Sequence, residues 1–333
     1  MTPLLIRAAT PADLPALVDL QNAASPDTPT TLEIQEFRER DRKPELAFGR
    51  LLAEQHGRVC GVATFAQPEW SSDEDQLRVI VTVDPQARNQ GTGRALYTAL
   101  EGALRPLRPA RLVSLVREDR PAALQFAGNR GFAEVAREQD SELTLTRVDR
   151  SRREASVRQA REGGYELLTF EQYAQRVGDD LAWTRLHALD IDAARDEPTP
   201  PGEVVTVPPL ERYREKYDGD PTFDPSLWFV AAQFVGGQSD GLAALSQLSV
   251  SSAPGRIQTG FTAVGRGHRG RSLAWALKYL ALEEATRRGA LTVRTSNDER
   301  NRPMLHINVA LGFVPLPAWL TVRCTPDWGA ADA

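Results

Sequence analysis

The sequence predicts an α/β protein of the α+β sandwich kind, built from two copies of one domain. Three observations predict it. β-rich runs alternate with helical spacing along nearly the whole chain. Both halves carry one order of elements: hairpin, strand, Arg/Gly-rich turn, helix, strand, Pro-led helix and a Gly-Phe pair. Three landmark pairs, Val83 with Val264, Arg88 with Arg269 and Gly131 with Gly312, are each separated by 181 residues. A repeat that long signals duplication of a whole domain rather than a stacked solenoid unit.

In the first half, Leu4–Arg7 reads as a strand. Thr10-Pro11-Ala12-Asp13 then starts a helix, with a Thr cap, Pro at the first helical position and an acid three residues after the cap. Leu14, Leu17 and Val18 give that helix its apolar face. Glu33–Arg42 is a more polar helical stretch. Leu51–Glu54 and Val59–Ala66 flank His56-Gly57 as a hairpin. Leu77–Val83 is β-rich and leads through Asp84-Pro85 to Arg88-Asn89-Gln90-Gly91-Thr92-Gly93. Leu96, Leu100 and Leu104 then resume helical spacing, followed by a strand at Leu112–Val116, a helix at Pro121–Asn129 and a strand region opened by Gly131-Phe132.

Asp149–Gly164 is charged and has no strand pattern, so it reads as a linker between domains 1–148 and 165–333. Its Arg150–Glu162 stretch is a solvated charge run compatible with a helix, rather than a nucleic-acid patch. Tyr165–Phe170 reads as a strand, Glu171–Asp192 as a helix and Asp196–Pro209 as a Pro-rich loop. Leu227–Val235 and Leu242–Val250 flank a Gly-rich hairpin turn. Arg256–Val264 is a strand running into Arg269-Gly270-Arg271-Ser272-Leu273-Ala274. A helix to about Arg288, a strand at Leu291–Ser296, a helix at Pro303–Leu311 and Gly312-Phe313 complete the copy.

Composition mostly excludes. The 333 residues carry a formal net charge of −5, are 41% hydrophobic and have a mean hydropathy of −0.38, as soluble globular chains do. Mild acidity gives no global attraction to nucleic acid, and no apolar run is long enough to span a bilayer. Cys60 and Cys324 form neither a disulfide framework nor a metal-ligand spacing. No signal-peptide pattern opens the chain. A reduced, cytoplasmic setting without a metal is the expectation. Lys occurs only at 43, 216 and 278, so nearly all cations are Arg. Anion binding is one use for that excess.

An Arg-x-x-Gly-x-Gly/Ala match alone is weak; equal spacing and equal strand–turn–helix context in both halves carry the inference. On these residues the chain resembles the GNAT superfamily of acyl-CoA-dependent N-acetyltransferases. The first half matches as Val83-Asp84-Pro85, Arg88-Asn89-Gln90-Gly91-Thr92-Gly93 and Asn129-Arg130-Gly131-Phe132, with the opening Ile6–Leu14. The second matches as Val264, Arg269-Gly270-Arg271-Ser272-Leu273-Ala274, Asn301 and Leu311-Gly312-Phe313. Its longer lead-in resembles tandem members of the mycothiol-synthase-like type. The resemblance implies two domains, each a mixed, mostly antiparallel sheet flanked by helices. It also implies acetyl-CoA as co-substrate, held by those two turns with Val83, Val264 and Asn301. The acceptor expected is a primary amine on a small molecule, with an aminoglycoside-like compound, an amino-acid conjugate and a protein terminus left open, served by a monomer or homodimer.

The turn has a physical reason of its own. A helix N-terminus offers unpaired N–H groups and a positive dipole end to a pyrophosphate. Glycine lets the backbone approach the phosphates, and Arg88 and Arg269 add charge-assisted bonds.

The halves depart from the family pattern differently. Ser272 replaces the central Gly and Arg266 the Pro of Val-x-Pro in the second; Arg120 replaces the family's Asn in the first, whereas Asn301 keeps it in the second. Ala127 and Asn308 stand where many members have a thiolate-protonating Tyr.

Amide formation needs a neutral amine, and neutralising a Lys-like amine at pH 7 costs about 4.6 kcal/mol. A general base or a less basic acceptor must supply that. Main-chain N–H groups near Val83 or Val264 are expected to meet the oxyanion. Base candidates in the second half are His187, Asp190, Asp192, Asp196, Glu197 and Glu203, although residues of this kind are more often solvated or capping. His268 reads as a phosphate or solvent contact. Trp183, Tyr213, Tyr217 and Trp228 line an acceptor pocket or the core. In the first half Glu69, Trp70 and 73–75 precede the cofactor strand.

The second half is the expected catalytic one, because it keeps Asn301 and has the larger lead-in. The first has the more regular turn. A non-enzymatic acyl-CoA-binding protein with decayed sites is the alternative. Reading Arg266–Arg271 as an RNA-binding Arg/Gly segment fails, because it joins a strand to a helix.

Overall fold

A computed structural model describes residues 3–69, 73, 75–199 and 205–329. Trp70 and Glu203 lie outside them. In chain order the elements are β1 (Leu5–Ala8), α1 (Leu14–Ala24), α2 (Leu32–Asp41), β2 (Phe48–Gln55), β3 (Arg58–Ala66), β4 (Gln76–Val83), α3 (Thr92–Leu104), β5 (Arg111–Arg117), α4 (Pro121–Gly128) and β6 (Ala133–Thr144). There follow α5 (Arg153–Glu162), β7 (Glu166–Thr169), α6 (Phe170–Val177), α7 (Asp179–Ala194), α8 (Leu210–Glu215), β8 (Trp228–Val235), β9 (Gln238–Val250) and β10 (Arg256–Val264). The last are α9 (Leu273–Arg287), β11 (Thr292–Asp298), α10 (Arg302–Leu311), β12 (Val314–Pro315) and β13 (Trp319–Cys324).

The chain divides into two compact units. The first holds the described residues up to 137 and those from 318 to 329; the second holds 138–199 and 205–317. The first unit's strands run β1-β2-β3-β4-β5-β13, antiparallel throughout except for β4 beside β5. The second unit's run β6-β11-β10-β9-β8-β7, antiparallel except for β10 beside β11. Each is therefore a mixed, mostly antiparallel sheet of one topology, with a single parallel step at the equivalent place.

Leu96, Leu100 and Leu104 recur at helical spacing and seat α3 on the first core, each at most 1% exposed. Ala276, Leu277, Ala281 and Ala285 do the same for α9 in the second. Among the described residues no helix is long and apolar enough to cross a membrane.

The division differs from the one expected at 149–164. Residues 318–329 join the first unit, because β13 pairs with β5 over six residues, from Trp319 opposite Arg117 to Cys324 opposite Leu112. The expected linker is helix α5 of the second unit. It buries Ser156, Val157 and Ala160, and Arg153 pairs with Glu283 on α9 (Nη2 to Oε2, 2.9 Å). Glu171–Asp192 is two helices, broken at Gly178 with φ 90°.

Candidate functional site

The two Arg/Gly turns share one backbone path despite different residues. Asn89 and Gly270 occupy equivalent positions with φ 61° and 74°; Gly91 and Ser272 do so with φ 89° and 59°. Gly91 and Ser272 are the left-handed N-caps of α3 and α9. Arg88 Nε donates to Val83 O and Arg269 Nε to Val264 O, each at 3.2 Å. A Cβ at Gly91 or Gly270 would meet nothing within 4 Å, so space lies open over both turns. Among the described residues, no acceptor takes the first-turn N–H groups of Thr92, Gly93, Leu273 or Ala274. Both turns thus offer free donors at a helix N-terminus, as a pyrophosphate requires.

Their side-chain surroundings differ. Arg88 has no carboxylate partner among the described residues. Arg269 Nη2 donates to Asp196 Oδ2 at 2.6 Å, and Arg266 pairs with the same carboxylate, Nε to Oδ2 at 2.9 Å. Ser272 Oγ donates to Gln159 Oε1 on α5 at 2.7 Å. The Arg271 guanidinium lies 5.8 Å from the Tyr165 ring centroid. Gln90 folds back onto Gln86 O at 2.8 Å. Thr92 and Leu273 bury their side chains, leaving only main chain to offer a ligand.

Behind each turn the parallel strands part. β4 pairs with β5 only at Gln76–Arg78, and β10 with β11 only at Arg256–Gln258. Beyond those points β4 and β10 are held on one side only, leaving a wedge that ends at Val83 and Val264. The second wedge has a β-bulge: Gly260 and Phe261 of β10 together oppose Gln247 of β9. A Cβ at Gly260 would stand 3.1 Å from the Gln247 side chain, so a larger residue there needs Gln247 to give way. Phe261 N–H donates to Gln247 Oε1 at 3.0 Å, so a side chain, which can swing away, holds this main-chain donor. The β3–β4 ladder of the first unit has no register shift.

A buried polar group lies on the α7 side of the second wedge. α7 docks on the end of β10, where Asp192 Oδ2 accepts Arg266 N–H at 2.9 Å and Leu189 approaches Gly265. Asp190 turns to α8, where its Oδ2 accepts the Tyr213 hydroxyl; its Oδ1 is buried without a partner among the described residues. Burial pushes the Asp190 carboxyl up to about 6, although the Tyr213 hydrogen bond and the nearby His187 and Lys216 pull the other way. Tyr217, pushed up to about 12 by burial, packs on Tyr213 and interacts with Gln247.

On the α9 side a narrow cavity is lined by Ser246, Leu248, Thr259, Lys278, Leu311 and Phe313 among others. Burial alone lowers the Lys278 ammonium to about 8. Keeping it charged there costs about 3 kcal/mol relative to water. The first unit fills the equivalent space. Tyr97 replaces Lys278, and Arg130 stacks its guanidinium 3.4 Å from the Phe126 ring centroid and 4.7 Å from that of Tyr97.

Other expected site residues have structural partners. Asn301 caps α10 by accepting Met304 N–H at 3.3 Å. His268 Nδ1 bonds the Tyr165 hydroxyl at 2.8 Å, and His187 Nε2 the carbonyl of Pro208 at 2.8 Å. Glu197 is exposed. Asn308 is buried and bonds Asn297 of β11 at 2.6 Å. Trp183, Tyr213 and Trp228 belong to the core, where Trp183 and Trp228 pack edge to face at 6.4 Å. Glu69 pairs with Lys43 and Asp73 with Arg111, at the opposite end of β4 from Val83. Sequence reasoning missed Lys278, Gln247 and Gly260. A signal existed for Lys278, since it interrupts an apolar stretch of α9 and is one of three Lys in the chain.

Residues 14–132 match the model of the acetyltransferase (GNAT) family. No curated protein matches in sequence. Among solved structures, a tandem GNAT protein from the clavulanic acid biosynthesis pathway is 21% identical, with TM-score 0.74 over 99% of this chain and 100% of its own. A GCN5-related N-acetyltransferase from Sphaerobacter thermophilus is 20% identical, with TM-score 0.67 over 97% of this chain and 96% of its own. A glucosamine N-acetyltransferase region of a fungal multi-domain β-N-acetylglucosaminidase is 12% identical, with TM-score 0.70 over 97% of this chain and 38% of that one. Residues 14–132 thus resemble the GNAT family in sequence, and the chain as a whole has the tandem GNAT fold.

Proposed function

We propose that the protein is an acyl-CoA-dependent N-acyltransferase whose second unit acylates a primary amine of a small molecule. One observation carries this reading: the second unit combines a parted, bulged strand with a buried carboxyl on α7, the helix that docks on the end of that strand. The N–H groups of Gly270–Ala274, with Arg269, hold the pyrophosphate; the first unit's Arg88–Gly93 turn holds a second coenzyme molecule without turnover. The thioester supplies an activated acyl carbon. Gln247 releases Phe261 N–H to the developing oxyanion.

Asp190 acts as the general base. A carboxyl near 6 is largely ionised at pH 7 yet a far better proton acceptor than one at 3.8. The amine nitrogen bonds the carbonyl carbon as the C–S bond breaks, and the proton taken by Asp190 passes to the departing thiolate. Asn308 stands where a thiolate-protonating Tyr is absent, and its amide is an N–H donor near β11.

The non-enzymatic reading draws on Asp196, which occupies Arg266 and Arg269. Exposed pairs of this kind are weak, so a pyrophosphate displaces the carboxylate. Thiol release from acetyl-CoA and related thioesters with a panel of small amines, followed by product mass, tests the proposal. Binding without release for every amine would leave the non-enzymatic role standing.

A further inference from the structure

The cavity behind the β10 bulge holds a cation that no described residue neutralises. Lys278 is 4% exposed and lines that cavity, with its Nζ 5.9 Å from the Phe313 ring centroid. Among the described residues, no carboxylate or carbonyl accepts a hydrogen bond from it. The two acids nearest on α9 are committed elsewhere: Glu283 to Arg153, and Glu284 to Arg287 and Arg288. A buried ammonium without a partner is rare, because an apolar side chain of similar volume would fill the site at no desolvation cost. The fold does not need the charge, since the first unit builds the same position with Tyr97.

We propose that the second unit's acyl donor ends in a carboxylate, a short dicarboxylic acid joined to coenzyme A through one carboxyl, and that Lys278 receives the free carboxylate. The inference rests on the second unit being the acylating one. Thr259 lines the cavity and immediately precedes the bulge at Gly260–Phe261. A thioester carbonyl at the bulge therefore stands within a few carbon–carbon bonds of the cavity. Ser246 Oγ and Thr262 Oγ1, 3.3 Å apart, add hydroxyls along that path. The cavity is small, with room for about one water-sized group, so only the terminal carboxylate of a short, three- or four-carbon diacid reaches it and a long chain does not. In the transfer the new C–N bond replaces the C–S bond, the coenzyme leaves as a thiol and the distal carboxylate is unchanged.

The test compares kcat/KM for acetyl-, malonyl- and succinyl-CoA with an amine that the screen above accepts. The wild type is expected to prefer one dicarboxylic thioester over acetyl-CoA by about tenfold or more, the value of one buried charge pair. Lys278→Met and, independently, Lys278→Gln should cut that ratio by about tenfold, whereas Lys278→Arg keeps part of it. The ratio is insensitive to a general loss of activity. Lys278→Met should also melt above the wild type, which shows that the variant folds. A wild type that prefers acetyl-CoA, or a ratio that neither variant moves, overturns the proposal and leaves the acyltransferase reading intact. Failure of all three thioesters to bind in calorimetric titration overturns both.

Discussion

The first unit keeps its turn open and its wedge filled; the second guards its turn and keeps its wedge polar. Among the described residues Arg88 has no acid beside it, but Tyr97, Phe126 and Arg130 pack the space behind Val83. Arg269 is tied to Asp196, yet Lys278 lines a cavity beside Thr259, next to the β10 bulge, and Gln247 holds the bulge's N–H. Duplication preserved the backbone of the turn in both, down to two left-handed residues, and let the side chains diverge. Binding and chemistry are separable demands on this fold. A turn needs only backbone donors, whereas the wedge needs particular side chains.

The largest effect that sharpens this contrast is expected from Asp190→Asn, which should lower amine acylation by about 10²–10⁴-fold and remove the rising limb of the pH profile near pH 6. The stability effect has the opposite sign. Because folding raises this carboxyl from 3.8 to about 6, its stabilising share is present below pH 4 and is lost as pH rises through 6. Asp190→Asn should therefore melt higher than the wild type at pH 7–8 in a thermal scan. Next, Arg269→Glu should abolish thiol release, whereas Gly91→Glu should cost one of two coenzyme equivalents in titration and leave turnover in place. Turnover lost only in the Gly91 variant would reverse the roles of the units.

Asp196→Ala should tighten coenzyme binding to the second unit by about two- to fivefold, the worth of one exposed pair, with little change in melting. The smallest effect comes from exchanging the caps. Gly91→Ser should destabilise the first unit by about 1 kcal/mol, since φ 89° suits glycine alone. Ser272→Gly should change the second by less, because relief at φ 59° offsets the lost bond to Gln159.

The repeat was legible because its landmarks are local: strand, turn and helix follow one another, and Gly-Phe closes each copy. The 181-residue spacing even pairs Gly91 with Ser272, which keeps the left-handed φ although it is not glycine. What escaped was long-range. Nothing in Trp319–Cys324 announces that its partner is β5, about two hundred residues earlier, and the charged look of Arg153–Glu162 hid a helix that buries Val157 and Ala160. The acid at 190 was visible among six candidates; what distinguishes it is a buried, unpartnered oxygen, which only packing creates. Lys278 was legible as an oddity and not as a site, because its meaning depends on which side chains packing brings around it.

Strand β13 also has a consequence for biosynthesis. Until the ribosome has made residue 324, β5 presents an open hydrogen-bonding edge. At about 5–20 residues per second, the roughly 200 residues between them take about 10–40 s. The first unit is thus the first begun and the last finished. A nascent chain stalled or clipped before its final strand would be aggregation-prone at its amino-terminal half, even with the other unit complete.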